Sequence, residues 1–344
     1  MEEQPKIVSE EQLDDLLTSP RAHLVEFIRT VQSPLLILGG GGKMGPSLAV
    51  LARRAADAAG HPLRIISVSR FSDPSVATWL EDHGVGTISL DLMSRDSYQR
   101  LPDAENILYL VGLKFGTSSN PSLTWATNTL APSFTCERYP NAKIVALSSG
   151  NVYQVSSIHG PGALETDTLE PLGEYSNSCV ARERIFEYYS EKNGTPAALI
   201  RLSYAVDLRY GVLVDIAKNV FNGNRISLAN GYLNCIWQGD ANEMIIRALG
   251  LTGIPPYPIN LTGTTWYSVR ELALQFAERM GKEVHFDGVE AETALLSNTV
   301  RLLEKLGSPP TTMDQMIDWT ADWVMAGGRS LDKPTHFEVR DGKY

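Results

Sequence analysis

The sequence has 344 residues, 43% hydrophobic and 20% charged, which allows one large or two modest domains and excludes a wholly disordered or fibrous chain. Asp plus Glu number 40 against 30 Lys plus Arg, a net charge of −10, so neither nucleic acid nor an anionic membrane surface is expected as a partner. Cys136, Cys179 and Cys235 are widely separated and none of the six histidines shows metal-ligand spacing, so no disulfide framework and no metal site are expected, and no stretch is long enough for a membrane-spanning helix.

In chain order, Met1-Glu2-Glu3-Gln4-Pro5 is acidic where a secretory leader is basic, which points to the cytoplasm. Residues 9–31 place Leu13, Leu16, Leu17, Leu24, Phe27 and Ile28 at helical spacing, interrupted near Pro20, and predict short helices that cover a core without chemistry. Leu35-Leu36-Ile37-Leu38 then runs into Gly39-Gly40-Gly41-Gly42-Lys43-Met44-Gly45. This reads as a strand, a tight turn and a helix start, an arrangement in which backbone N–H groups and a helix dipole cradle a pyrophosphate. Two spacings coexist, Gly40-x-Gly42-x-x-Gly45 and Gly39-x-x-Gly42-x-x-Gly45, and the turn by itself does not choose between them.

A helix face of Leu48, Leu51, Ala52, Ala55 and Ala56 ends at Gly60, and an apolar run Leu63–Val68 ends in Ser69-Arg70. An acidic residue at such a strand end binds the adenosine ribose of NAD, whereas arginine suits the 2′-phosphate of NADP; NADP is therefore favoured over NAD. Strands are predicted at Thr87–Leu90, Ile107–Val111, Lys143–Leu147, Ala197–Leu202 and Tyr257–Leu261, with helices at Ser75–His83, Leu123–Arg138, from Glu174 through Tyr189, and at Val212–Phe221, Ala241–Leu249, Val269–Met280, Thr299–Leu306 and Met313–Val324. Such alternation implies an α/β fold, a Rossmann-type doubly wound parallel sheet with a smaller C-terminal substrate lobe. The expected division is a helical extension over residues 1–31, a dinucleotide-binding core over 32–205, mainly substrate lobe with later core elements over 206–326, and a polar tail over 327–344 that is an arm or a mobile segment.

These segments together resemble the extended short-chain dehydrogenase/reductases, the NAD(P)-dependent epimerase/dehydratase family. The resemblance runs from about Leu35 to Val324 and is carried by the glycine turn, Asp91-Leu92, Asn128, Ser148-Ser149-Gly150-Asn151-Val152-Tyr153, Tyr175, Arg201-Leu202, Asp240, Ile259-Asn260-Leu261-Thr262-Gly263 and Leu306-Gly307, in the family's order. It selects Gly39, Gly42 and Gly45 as the meaningful glycines, and it implies that Lys43, Met44, Ser69, Arg70, Asp91, Leu92 and Asn128 line the cofactor site. It also implies that Tyr175 exchanges a proton with a substrate hydroxyl while Ser149 hydrogen-bonds the same group. Gly112-Leu113-Lys114 further resembles a turn of UDP-galactose 4-epimerase in which a lysine lies beside the cofactor.

The family places a lysine one helical turn after the tyrosine, where its charge lowers the phenol's pKa and it anchors the nicotinamide ribose. Here Tyr175-Ser176-Asn177-Ser178-Cys179 puts a cysteine there. Of the cations that could substitute, Lys114 is preferred, because its turn faces the cofactor; Arg182 lies about two turns beyond Tyr175. An arginine that family members use to hold a nucleotide-sugar diphosphate is also missing from Asn234-Cys235-Ile236-Trp237-Gln238-Gly239-Asp240. The expected function is an NAD(P)-dependent oxidoreductase or epimerase/dehydratase acting on a secondary hydroxyl or ketone of a sugar-like small molecule, as a homodimer in keeping with the family. The alternative is a catalytically inactive NAD(P)-binding sensor or protein-interaction module, for which the missing lysine speaks.

Overall fold

A computed structural model describes residues 6–114, 119–333, 335–340 and 342; Met1–Pro5, on which the reading of the N-terminus rests, lie outside them. Its centre is a sheet of seven strands: β1 (Leu35–Leu38), β2 (Ile65–Ser69), β3 (Gly86–Ser89), β4 (Asn106–Tyr109), β5 (Lys143–Ser149), β6 (Ala197–Leu202) and β7 (Tyr257–Leu261). All pairings are parallel, in the order β7-β6-β5-β4-β1-β2-β3. The order reverses between β1 and β4, and the ends of these two strands flank the crevice where ligands bind in such sheets.

The apolar runs become central strands because both faces are covered. Along β1, Leu35 and Ile37 enter one hydrophobic layer and Leu36 and Leu38 the other, the period-two alternation of a strand. The first layer is closed by α2 (Ala22–Ile28), α3 (Gly45–Ala58) and α8 (Gln238–Arg247), and the second by α5 (Pro121–Arg138) and α6 (Glu174–Asn193). Alanines on α3, among them Ala52, Ala55 and Ala56, have no surface exposure and keep that helix close to the sheet.

A second lobe packs α7 (Val212–Phe221), α9 (Val269–Met280) and α11 (Met313–Met325) around Ile216, Phe276, Ile317 and Trp323. The N-terminal helices bridge the lobes: Leu13 and Leu17 of α1 (Glu10–Thr18) lie in the second lobe's core, while Leu24 and Ile28 of α2 lie under the sheet. The segment after Gly327 follows a defined path over the second lobe. Leu331 N–H donates to the Arg209 carbonyl at 2.9 Å, Thr335 Oγ1 donates to Asp215 at 2.6 Å, and Arg340 Nη1 donates to the Thr293 carbonyl at 2.7 Å. It then reaches Gly173, where an added Cβ would fall 2.1 Å from the Gly342 carbonyl oxygen.

One buried network fixes α6 against the strand ends. Glu183, with no exposure, accepts from Arg201 Nη2 at 2.8 Å and Nε at 3.1 Å, and also from Ser148 Oγ. Arg201 Nη1 donates to the Tyr153 hydroxyl at 2.7 Å and the Glu165 carbonyl at 3.1 Å. A buried ion pair stripped of one partner leaves an uncompensated charge. Arg201→Met is therefore expected to lower the unfolding free energy by about 3–5 kcal/mol, seen as a fall in the urea midpoint with an unchanged slope.

Candidate functional site

The turn after β1 is built by close approach. Gly39 has φ +86°, and a Cβ there would lie 2.8 Å from the Val111 nitrogen beyond β4; at Gly40 it would meet Ser67 Oγ at 2.0 Å; at Gly45 it would meet the Gly40 carbonyl oxygen at 2.3 Å. These glycines seat the start of α3 against the sheet. Gly42 differs: it is exposed, and the nearest atom to an added Cβ is the Gly39 carbonyl oxygen at 3.4 Å. Protein packing does not require a glycine at 42: its own N–H donates to the Gly39 carbonyl at 3.1 Å, and the room its missing side chain leaves faces outward just ahead of α3, where a ligand can approach the backbone closely. That is the requirement of a pyrophosphate cradle, and the residues present fit a dinucleotide. At the end of β2, Ser69 lies beside Gly41 and Arg70 is exposed; Asp91, also exposed, accepts from the Met93 N–H at 2.9 Å, and Leu92 is buried.

Across the crevice, the end of β5 and the first turns of α6 bring Ser149 and Tyr175 together. Both side chains are largely buried, and Tyr175 hydrogen-bonds with Ser149 and Cys179. Burial raises the Tyr175 phenol well above its ordinary range; Cys179 adds to the rise, while the Arg182 charge and the Ser149 hydrogen bond oppose it. The Cys179 thiol is likewise pushed up by burial, so it is a neutral thiol near neutral pH.

Asn128, fully buried on α5, links this helix pair to the turn after β4. Its Nδ2 donates to Ser178 Oγ at 2.7 Å, and its Oδ1 accepts from the Leu113 N–H at 3.3 Å and from Arg182 Nη2. Next along that turn, Lys114 Nζ donates to the Tyr210 hydroxyl at 3.2 Å. Lys43 approaches Tyr210 from the glycine turn, with Nζ 4.3 Å from the ring centroid and donating to the Ala205 carbonyl at 3.0 Å. Burial lowers the Lys43 ammonium to about 7, Asp207 opposes the shift, and Lys114 and Arg209 add to it.

The family whose description is NAD dependent epimerase/dehydratase matches residues 35–206. The chain belongs to that family. Its fold is shared by dTDP-glucose 4,6-dehydratase from Bacillus anthracis, solved with NAD, at TM-score 0.72 and 16% identity over 86% of this chain and 97% of that one. UDP-glucose 4-epimerase from Thermotoga maritima, solved with UDP-glucose, superposes at TM-score 0.68 with 15% identity over 86% and 99%. UDP-glucuronic acid 4-epimerase from Bacillus cereus, solved with UDP-glucuronic acid and NAD, gives 0.69 and 14% over 85% and 99%. No curated protein matches the sequence. Among the described residues no helix is long and apolar enough to cross a membrane, and no cluster of His, Cys, Asp or Glu is arranged for a metal.

Of the residues read from the family's pattern, Ser149, Tyr175 and Asn128 lie in one hydrogen-bonded neighbourhood with Cys179 and Arg182, while Ser69 ends β2, Arg70 follows it, and Asp91 and Leu92 come after β3. Tyr210 and Arg182 occupy positions that the pattern does not single out. The one available signal for Arg182 was its place on the same helix face as Tyr175.

Gly45→Ala should lower both stability, by about 1–3 kcal/mol, and dinucleotide affinity, because the turn must shift. Gly42→Ala should leave the unfolding midpoint near the parent's while weakening dinucleotide binding, as titration calorimetry with NADP would show. Lys43 gives a pH signature. Its folded value of about 7 lies below the ordinary lysine value of about 10.4, so between these pH values the unfolded chain binds more protons and stability rises with pH. The cost of charging Lys43 is present in full below pH 7 and gone above about pH 10.4. Lys43→Met should flatten that part of the profile of unfolding free energy against pH.

Proposed function

We propose that this protein is an NADP-preferring oxidoreductase or epimerase/dehydratase acting on a secondary hydroxyl or ketone of a sugar-like small molecule. The observation that carries this reading is the pairing of Tyr175 with Ser149 beside the glycine turn, at the carboxyl ends of the parallel strands. Gly39, Gly42, Lys43, Met44 and Gly45 would hold the pyrophosphate, Ser69 and Arg70 the adenosine ribose with its 2′-phosphate, and Asp91 and Leu92 the adenine end. Asn128 keeps the turn after β4 in place, and Lys114 is the cation on the nicotinamide side. The dinucleotide, when bound, supplies a hydride acceptor or donor.

Ser149 Oγ fixes the substrate oxygen, and the Tyr175 phenol exchanges a proton with it. The raised pKa of Tyr175 keeps the phenol protonated at neutral pH in the resting protein, which suits proton donation to a ketone. Proton removal from an alcohol needs the opposing positive charges around it. The side-chain amides of Asn234 and Gln238 turn inward: Asn234 Nδ2 donates to the Gly263 and Ser297 carbonyls at 3.0 and 2.9 Å, and Gln238 Nε2 donates to Ser47 Oγ at 3.0 Å. This supports a substrate without a nucleotide diphosphate.

Three buried free cysteines fit the cytoplasm. Leu123, Trp125 and Leu130 of α5 and Tyr188 of α6 are exposed, which supports a homodimer through these helices. The deciding experiment identifies the dinucleotide that copurifies and then assays Tyr175→Phe. Turnover should fall by about 10²–10⁴ with NADP affinity retained, and Arg70→Ala should weaken NADP but not NAD. Unchanged turnover in Tyr175→Phe would remove the phenol from acid/base work; binding with no turnover on any polyol or ketose would favour the sensor reading.

A further inference from the structure

The position one turn after Tyr175 holds a neutral thiol, yet the space around it contains a full positive charge. Arg182 begins seven residues after Tyr175, and helical side chains lean toward the N-terminus, so a residue two turns along can deliver its guanidinium near the level of Cys179. Here it donates from Nη1 to the Leu147 carbonyl at 2.7 Å and from Nη2 to Asn128 Oδ1. Both acceptors are uncharged, and Arg182 Nε is buried with no hydrogen-bond partner. A buried cation held only by neutral acceptors is costly unless negative charge arrives beside it.

The titratable groups facing it are Cys179, Tyr175 and Glu183 on its own helix and Tyr109 on β4, while Lys114, beyond β4, acts on Cys179. Glu183 also acts on Arg182, but it makes no hydrogen bond to it and its negative charge is already matched by the Arg201 guanidinium. Tyr109 and Cys179 are both held neutral by burial. The backbone is also shaped around the guanidinium: a Cβ on Gly112 would lie 2.6 Å from Arg182 Nη2.

We propose that Arg182, in the space left by Gly112, supplies to Tyr175 the positive charge that a lysine at position 179 would supply. Arg182 is thus a charge-setting positioning residue, and this assignment rests on Tyr175 being the acid/base group. Of the groups facing Arg182, Tyr175 is the one that proton exchange with substrate would make anionic, and the unpaired Nε and the two neutral acceptors leave the guanidinium charge available to it.

The test replaces Tyr175 with difluorotyrosine, whose phenol is intrinsically more acidic and whose fluorine NMR resonance reports ionisation without any substrate. In the full-length resting protein, Arg182→Met should move the midpoint of that titration upward by about one to three pH units. Arg182→Lys should move it less, and adding Cys179→Lys to Arg182→Met should bring it back toward the parent. An unmoved midpoint in folded Arg182→Met, judged by circular dichroism, overturns the proposal. Should Arg182→Met not fold, Gly112→Ala, whose methyl displaces the guanidinium, is read in the same way: an upward shift supports the proposal and an unmoved midpoint overturns it. The shift and the enzyme activity fail separately: a moved midpoint without turnover on any substrate leaves the charge assignment standing and removes the catalytic reading, and turnover with an unmoved midpoint does the reverse.

Discussion

The placement of α6 depends on a carboxylate with no access to water. Glu183 is held by the Arg201 guanidinium and the Ser148 hydroxyl, and these belong to the two strands over which α6 lies. Desolvating the pair is expensive, and its return is definition: the helix has one depth and one rotation at which the network closes. Everything that converges on Tyr175 inherits that setting. Ser149 is the neighbour of Ser148 on β5, and Asn128 reaches the same helix from α5 through Ser178. The Ser149–Tyr175 pair is thus positioned by a strand end and a helix.

The cofactor side is set by a different constraint, the exclusion of side chains. Gly39 and Gly45 are needed because backbone atoms occupy the places their Cβ atoms would take, whereas Gly42 is open. One turn thus contains glycines with two separate reasons for being there. This division is invisible in the spacing, which treats Gly39, Gly40, Gly42 and Gly45 alike.

Much of the architecture was legible in the sequence because a parallel sheet covered on both faces demands unbroken apolar runs. Leu35–Leu38 and Ala197-Ala198-Leu199-Ile200 are such runs, and Val212–Phe221 and Val269–Met280 carry helical periodicity through to their observed ends. Strand ends were less legible: β4 stops at Tyr109, the Leu110 N–H still donates to the Leu38 carbonyl of β1 at 2.7 Å, and hydrophobicity continues beyond that last bond into Val111. The N-terminal helices read as simple core cover, but periodicity does not say that Leu13 and Leu24 serve two different cores. The cation cluster was harder still. Local spacing ranked Arg182 as too distant from Tyr175, and only the length and backward lean of the side chain, with the vacancy at Gly112, bring it there. Lys43 was legible as part of a phosphate turn, and its approach to Tyr210 was not, because the two are separated by most of the sheet in sequence.

The path of the tail bears on the order in which the molecule is completed. Gly342 meets Gly173 immediately before the helix that carries Tyr175, although the second lobe lies between them in sequence. During synthesis β1 to β6 and α6 are made well before the tail that forms that contact. The contact at the entrance of α6 therefore waits for the C-terminal tail, which is made only after the helices of the second lobe.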